Sequence, residues 1–184
     1  MQHFFCLFRS MMRLIITLFL SAFMLKGIKA QIKVGDAMPH FELNDQNGEL
    51  FNSKKVIGKK NLIVYFYPKD DTPGCTKEAC TFRDYSAEIE KEDAMIIGIS
   101  SDSEEDHKKF AAKYQLSYIL LADIENKVRD LFGVPTNFLG LIPGRVTYVV
   151  DKSGKVRHIY NSQTNPTKHV EESLKTLKEI NKTQ

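Results

Sequence analysis

LIVYFYPKDDTPGCTKEAC, residues 62–80, is the stretch that decides the fold of this 184-residue chain. Residues 62–67 are a continuous run of aliphatic, β-branched and aromatic side chains, which predicts a strand buried on both faces. Pro68 ends that strand, and the pattern that follows predicts a helix over residues 76–92. Cys75 therefore lies where a buried strand gives way to a helix.

Further elements are predicted on both sides of this stretch. Asn47-Gly48 lies between the alternating apolar positions of residues 41–51, a pattern typical of a β-hairpin. A second buried strand is predicted over residues 94–99, and Ser103 is expected to cap a helix that continues through Tyr114. The remaining predicted elements are a strand at 118–121, a helix at 125–132, a hairpin formed by 146–150 and 155–160, and a helix from Pro166. Three residues of the helix over 76–92 are expected to face the core: Phe82, Tyr85 and Ile89.

The order of these elements predicts an α/β fold. A central mixed β-sheet, parallel in its middle and antiparallel at its edges, is flanked by helices and preceded by an N-terminal β-hairpin. The strand, loop, cysteine and helix at its centre are the arrangement of a thioredoxin-like fold. No repeat, low-complexity segment or linker follows residue 35, so residues 33–182 are assigned to one domain.

Residues 1–30 have the parts of a secretory signal peptide. A positively charged segment ends at Arg13, an apolar run follows over residues 14–25, and Ala30 offers a small residue for cleavage. The run is shorter than the roughly 20 residues that a membrane-spanning helix needs. We therefore expect export to the periplasm, with an uncleaved leader that anchors the protein to the membrane as the alternative. A transit peptide is disfavoured because the segment is strongly apolar and poor in serine.

The charge balance gives no sign of a nucleic-acid partner. Residues 1–30 hold four basic and no acidic side chains, and the rest of the chain holds 22 basic and 23 acidic ones. Nucleic-acid binding needs a clustered basic surface on the folded body. We expect the following polar side chains to lie at the surface without a role: Asp70, Asp71, His40, His107, His158 and His169.

Cys75 is the strongest candidate for a reactive side chain. At the start of a helix the first N–H groups are unpaired, and the helix dipole adds partial positive charge. Both effects favour the thiolate, which is the nucleophilic form of cysteine. Thr72 offers a hydroxyl that can bond to the thiolate or to a bound substrate, and Pro73-Gly74 is expected to allow a tight bend before the cysteine.

Cys80 is the second cysteine after the leader, since Cys6 lies within residues 1–30. Two cysteines in an exported protein usually form a disulfide, which here could be catalytic or a structural staple. A staple between Cys75 and Cys80 would close only a short loop and would stabilise little. A lone cysteine pair also lacks the four ligands of structural zinc, so no metal or other cofactor is expected.

Pro68, Thr72 and Cys75 reproduce the pattern Pro-x-x-x-Thr-x-x-Cys, and on these residues the chain resembles the peroxiredoxins. Cys80, five residues after Cys75, resembles the second cysteine of the bacterioferritin comigratory protein and peroxiredoxin Q subfamily. The likeness covers about residues 34–180. It implies that Cys75 attacks a peroxide and that Cys80 resolves the product as a disulfide.

The same resemblance implies that an arginine completes the site, and this arginine maps onto Arg145. Arg83 lies eight residues beyond Cys75, roughly 12 Å along the helix axis, which is too far to serve the sulfur. The implied reaction reduces hydrogen peroxide and organic hydroperoxides at the expense of thioredoxin or a similar dithiol protein, in a monomer. Two rivals are a disulfide oxidoreductase, whose cysteines usually stand two residues apart, and a non-catalytic binding or chaperone module.

The spacing of the two cysteines also predicts a conformational change. Residues five apart on an α-helix are separated by about 7.5 Å of rise and point about 140° apart. A disulfide needs Cα atoms within about 7 Å and converging Cβ atoms. Cys75 and Cys80 are therefore expected to bond only after the start of the helix unwinds.

Overall fold

The computed structural model describes residues 31–137 and 139–182. The strands of this part are β1 (Glu42–Asn44), β2 (Leu50–Asn52), β3 (Asn61–Phe66), β4 (Ala94–Ser100), β5 (Ile119–Ala122), β6 (Thr136–Asn137), β7 (Ile142–Pro143), β8 (Val146–Val150) and β9 (Val156–Asn161). Its α-helices are α1 (Pro73–Asp84), α2 (Ser86–Lys91), α3 (Glu104–Tyr114), α4 (Lys127–Leu131) and α5 (Pro166–Lys182). The predictions for residues 1–30, a cleaved signal or a membrane anchor, lie outside the described residues. Within the described ranges no helix is both long enough and apolar enough to span a membrane.

The central sheet is mixed, as predicted, but the expectation of antiparallel strands at both edges was wrong, because β5 at one edge is parallel to β4. Its five strands follow the order β5-β4-β3-β8-β9. β3 and β4 are parallel, as are β4 and β5, whereas β8 is antiparallel to both of its neighbours. All six residues of β3 are buried, because the central strand is covered on both faces of the sheet.

Alternate residues of β3 point into two separate hydrophobic clusters, as the strand period of two requires. Ile63 and Tyr65 pack on the side of α1, α2, α3 and α5. Val64 and Phe66 pack on the opposite side, where Phe132 follows α4. The end of β3 is thus fixed between two packed layers, which gives the loop that follows it a rigid starting point.

The predicted N-terminal hairpin is confirmed in β1 and β2, which pair antiparallel. Gly48 adopts a φ of 79° in the connecting turn, a conformation that favours glycine. The Asp45 side chain accepts a hydrogen bond from the N–H of Asn47 at 2.7 Å. Asp45 also forms a bridge to Leu121 of β5, so the hairpin is attached to one edge of the sheet.

The helix predicted over residues 76–92 is instead two helices, α1 and α2. The main chain leaves helical geometry at Tyr85, with φ −98° and ψ 6°. This break rotates the following turn, so that Phe82 and Ile89 both face the core while Tyr85 is 44% exposed. The prediction that Tyr85 is buried was therefore wrong.

Three polar side chains that were expected at the surface are buried. His107 and His169 are both 0% exposed, and Asp70 is 8% exposed. Both ring nitrogens of each histidine have hydrogen-bond partners, which offsets the cost of removing a polar ring from water. Hydropathy and spacing carry no signal for such pairing, because the partners Asp70, Leu121 and Thr147 lie 14 to 37 residues away in the chain.

Candidate active site

Cys75 is the third residue of α1 and is only 2% exposed. α1 begins three residues earlier than predicted, because proline suits the first helical position and Thr72 before it is extended. Pro73 and Gly74 are therefore the first two helical residues, and the prediction of a tight bend there was wrong. Cys75 lies within the first turn, whose N–H groups have no acceptor inside the helix.

The Arg145 guanidinium lies against the Cys75 sulfur. Its Nη2 donates a hydrogen bond to Sγ at 3.3 Å, and Arg145 is only 3% exposed. Arg145 directly precedes β8, whose first residue, Val146, is paired with Phe66 at the end of β3. This antiparallel pairing brings Arg145 to the same end of the sheet as the loop that leads to α1.

Glu78 is a site residue that the sequence reasoning missed. It is fully buried, and its carboxylate forms an ion pair with Nη1 of Arg145. Burial raises the pKa of Glu78 to about 8, and the positive charge of Arg145 only partly opposes this shift. Its position three residues after Cys75, on the same face of one helix, was the available signal.

His169 of α5 lies behind Glu78. Its Nε2 donates to the carbonyl of Ser162 at 2.9 Å, and burial lowers the pKa of His169 to about 4, so the neutral ring carries its proton on Nε2. Nδ1 then accepts a hydrogen bond from the hydroxyl of Thr147 at 2.7 Å. Oε1 of Glu78 is 3.4 Å from this unprotonated Nδ1 without a hydrogen bond to it, because the Nδ1 lone pair is used by Thr147, so the contact does not stabilise a negative charge on Glu78.

Thr72 and Pro68 lie in the loop between β3 and α1, and both are half-buried. The Thr72 hydroxyl donates a hydrogen bond to the carbonyl of Lys69 at 3.0 Å. The Thr72 hydroxyl is thus directed at the main chain of its own loop, whereas the Arg145 guanidinium contacts the Cys75 sulfur directly.

The same loop is attached to α3 by two acidic residues for which no role was predicted. Asp70 accepts a hydrogen bond from the Tyr67 hydroxyl at 2.7 Å and lies 2.7 Å from Nδ1 of His107. Asp71, at a φ of 57°, forms an exposed ion pair with Lys113 at 2.6 Å. The loop that carries Pro68 and Thr72 is thus fixed at two consecutive positions.

Cys80 is half-buried and lies on α1 together with Cys75, and both cysteines are free thiols. The intact helix agrees with the expectation that the two sulfurs do not bond in this conformation. Within residues 31–137 and 139–182, no group of three or more His, Cys, Asp or Glu side chains could hold a metal ion.

Comparisons with known proteins converge on one family. The chain matches the AhpC/TSA family over residues 34–159. It is 49% identical to the chloroplastic peroxiredoxin Q of Sedum lineare over 154 residues, which cover 84% of this chain and 82% of that protein. It is 52% identical to the chloroplastic peroxiredoxin Q of Arabidopsis thaliana over 155 residues, which cover 84% of this chain and 71% of that protein.

Solved structures agree with these relatives. The peroxidoxin BcpB of Mycobacterium tuberculosis superposes with a TM-score of 0.76 at 36% identity, covering 82% of this chain and 99% of that one. The bacterioferritin comigratory protein of Xanthomonas campestris, studied for its alkyl peroxide reduction, superposes with a TM-score of 0.70 at 29% identity, covering 76% of this chain and 91% of that one. The predicted thioredoxin-like fold is thereby confirmed.

The relatives correct the predicted localisation. Export to the periplasm, or anchoring to a membrane by the leader, was expected from residues 1–30. The curated relatives of high identity are instead chloroplastic proteins. The prediction was wrong because an apolar, basic leader is a compositional signal, and composition alone does not identify the membrane to which a leader is directed.

The fold, the cysteine at the start of α1 and the relatives all indicate the same enzyme class. A buried thiol that receives a hydrogen bond from a guanidinium is suited to exist as a nucleophilic thiolate. The relatives are peroxiredoxins over more than four-fifths of this chain. The chain therefore belongs to the AhpC/TSA family, as a thiol peroxidase of the peroxiredoxin Q and bacterioferritin comigratory protein type.

Proposed function

We propose that Cys75 is the peroxidatic cysteine and that Arg145 activates it. The observation that carries this assignment is the hydrogen bond of 3.3 Å from Arg145 Nη2 to Cys75 Sγ within the first turn of α1. In the first step the thiolate attacks one oxygen of the peroxide, and the O–O bond breaks. Cys75 becomes a sulfenic acid, and the other oxygen leaves with a proton as water or an alcohol.

Arg145 and Thr72 have different parts in this step. The guanidinium of Arg145 stabilises the thiolate and the charge that develops on the leaving oxygen. The hydroxyl of Thr72, at the N-terminal end of α1, accepts from or donates to the bound peroxide after it releases the carbonyl of Lys69. Pro68 ends the strand and shields one side of the thiolate from water.

Cys80 resolves the sulfenic acid in the second step. Its thiol attacks the Cys75 sulfur, water leaves, and an intramolecular disulfide forms. Both residues lie on α1, so the first turns of that helix unwind before the sulfurs meet. Cys80 is half-buried, in agreement with a thiol that is held back until this change occurs.

Thioredoxin or a similar dithiol protein returns the enzyme to its starting state. Its two thiols reduce the disulfide by thiol–disulfide exchange and leave the partner oxidised. Hydrogen peroxide and organic hydroperoxides are the substrates, and the Xanthomonas relative that reduces alkyl peroxides supports the second class. We propose that residues 33–182 carry this activity as a monomer without a cofactor, in antioxidant defence and redox homeostasis.

The disulfide oxidoreductase and the non-catalytic module are less well supported. An oxidoreductase usually holds its two cysteines two residues apart at one helix start, whereas Cys80 lies two turns along α1. A binding module has no use for a buried guanidinium that donates to a buried thiol, because burying both groups is costly.

A coupled assay tests the function. NADPH oxidation is followed with thioredoxin reductase, thioredoxin and hydrogen peroxide, first with the wild-type chain. Cys75→Ser is expected to abolish turnover, whereas Cys80→Ser is expected to consume one equivalent of peroxide and then stop. Full activity in Cys75→Ser would refute the assignment of the nucleophile.

A further inference from the structure

A second arginine, Arg129 of α4, connects the two chain segments that meet at Cys75. It is only 5% exposed. Its Nη2 donates to the carbonyl of Tyr67 at 2.8 Å, and its Nη1 donates to the carbonyl of Gly144 at 3.0 Å. One planar guanidinium thus bridges two main-chain oxygens that lie far apart in the sequence.

These two carbonyls belong to the segments that position the reacting groups. Tyr67 is the last residue before the loop that begins at Pro68 and leads to Cys75. Gly144 directly precedes Arg145, and its backbone is confined, because a Cβ there would lie 2.3 Å from the carbonyl oxygen of Pro135. A bridge between them fixes the relative position of Cys75 and Arg145.

Arg129 is itself held rigidly. The carboxylate of Asp123 accepts hydrogen bonds from the N–H groups of Val128 at 3.1 Å and Arg129 at 2.8 Å, which anchors the start of α4. The guanidinium carbon lies 5.6 Å from the centre of the Phe66 ring, within the range of a cation–π contact. These contacts restrict the guanidinium to one orientation, so it holds the carbonyls of Tyr67 and Gly144 at a fixed separation.

The charge of Arg129 is also of the sign that favours a thiolate at Cys75. Burial lowers the pKa of Arg129, whereas negative charge on Asp123 and on Cys75 raises it. The attraction between Arg129 and a Cys75 thiolate is mutual, so the cation favours the thiolate in turn. The Arg145 guanidinium divides its hydrogen bonds between Cys75 and the buried Glu78 carboxyl, so it does not serve the sulfur alone.

We propose that Arg129 is a positioning residue of the peroxidase reaction, which aligns Cys75 with Arg145 through the carbonyls of Tyr67 and Gly144 and adds positive charge near the thiolate. This inference rests on the proposed function. It makes two separable claims, one about alignment and one about charge.

The test compares Arg129→Gln, Arg129→Lys and wild type in the full reduced chain. Alkylation of Cys75 by iodoacetamide is measured as a function of pH, with the label localised to Cys75 by peptide mass spectrometry. Reaction with hydrogen peroxide is measured at pH 9 as the rate at which Cys75 loses its capacity to be alkylated. Arg157→Gln, which changes an exposed arginine, is the matched control and is expected to resemble wild type.

Arg129→Gln is expected to slow the reaction with peroxide on the order of tenfold and to move the alkylation profile to higher pH. Arg129→Lys keeps the charge and cannot bridge both carbonyls, so only the rate with peroxide is expected to fall. If Arg129→Gln fails to fold, Arg129→Lys is the deciding variant. A fall of about threefold or more in its rate with peroxide then supports the proposal. A smaller fall, or a folded Arg129→Gln whose alkylation profile and rate both match wild type, overturns the proposal.

The failure of this inference differs from the failure of the proposed function. A wild-type Cys75 that does not react with peroxide refutes the peroxidase assignment. The alkylation profile needs no peroxide, so it still measures the effect of Arg129 on Cys75. A purely structural Arg129 would lower the thermal unfolding midpoint and leave that profile unchanged.

Discussion

Nη2 of Arg145 lies 3.0 Å from the position that a Cβ atom would occupy on Gly74. Gly74 is a helical residue with no need for unusual backbone angles, since it is absent from the glycines with positive φ. Its lack of a side chain therefore serves the close approach of the guanidinium to Cys75. Activity and helix stability make opposite demands on this position.

Gly74→Ala is the direct test of that relationship. Alanine is the better helix former, by about 0.5–1 kcal/mol, so the free energy of unfolding is expected to stay level or rise. The methyl group displaces the tip of Arg145 by a fraction of an ångström, and we expect the rate of Cys75 oxidation to fall by up to about tenfold. Urea denaturation measures the free energy of unfolding, and alkylation of samples taken at successive times after peroxide addition measures the rate of Cys75 oxidation. Lys77→Ala, on the exposed face of α1, is the control. A variant that is both stable and fully active would contradict the role of Gly74.

The buried carboxyl of Glu78 predicts a pH dependence of stability. Its folded pKa of about 8 exceeds the ordinary value of 4.5, so the folded state binds the proton more tightly, and stability is lost as pH rises through 8. His169, with a folded pKa of about 4 against 6.5, has the opposite effect below pH 6.5. Between about pH 6.5 and 8 only the Glu78 contribution of this pair remains.

Glu78→Gln is therefore expected to flatten the decline in stability between pH 6.5 and 8 relative to wild type. Glutamine has nearly the same shape and cannot titrate, so the comparison isolates the proton. The slope is obtained from the free energy of unfolding in urea, measured at pH 6.5, at pH 8 and about midway between them. Parallel slopes in the two proteins would show that Glu78 does not titrate in this range.

The unwinding of α1 is testable by hydrogen exchange. Reduced protein is expected to protect the amides of residues 76–82, and the disulfide form is expected to lose that protection, because Cys75 and Cys80 cannot bond across an intact helix. The amides of α5 provide an internal control that should be protected equally in both states. Equal protection of residues 76–82 before and after oxidation would count against the change.

The attachment of the active-site loop to α3 predicts a contrast between neighbouring acids. Asp70→Asn replaces the buried partner of Tyr67 and His107 and is expected to cost about 1–3 kcal/mol of stability and to slow Cys75 oxidation. Asp71→Asn weakens only exposed contacts, an ion pair with Lys113 and a hydrogen bond from the Tyr114 hydroxyl, and we expect a smaller change in both quantities. Chemical denaturation of both variants beside wild type gives the comparison, and equal losses would contradict it.

The parts of the fold that sequence predicts well are those with a local physical signature. Residues 62–67 are apolar at every position because β3 is covered on both faces, and Ser103 caps α3 by accepting from the N–H of Asp106. Asn47-Gly48 marks a hairpin because its turn needs a positive φ at Gly48. Each of these signals is contained within a few neighbouring residues.

The parts that sequence misses depend on partners distant in the chain. Glu78 and His169 are polar residues on helices, and only the meeting of α1 with α5 reveals that they are buried beside Arg145. Arg129 likewise carries no motif, because its acceptors are main-chain oxygens of any residue type. The peroxiredoxin pattern indicated where the chemistry would be, and the surrounding network required the folded chain.

The position of Glu78 between the two cysteines has a consequence for the order of turnover. One short helical segment carries the sulfur, the buried carboxyl group that contacts Arg145 and the proposed resolving thiol. When that segment unwinds in the proposed cycle, Cys75 leaves the peroxide-binding site, and the disulfide that then forms becomes accessible to the dithiol reductant. Oxidant and reductant then alternate at a single place without competing for it, which is the behaviour of a ping-pong enzyme.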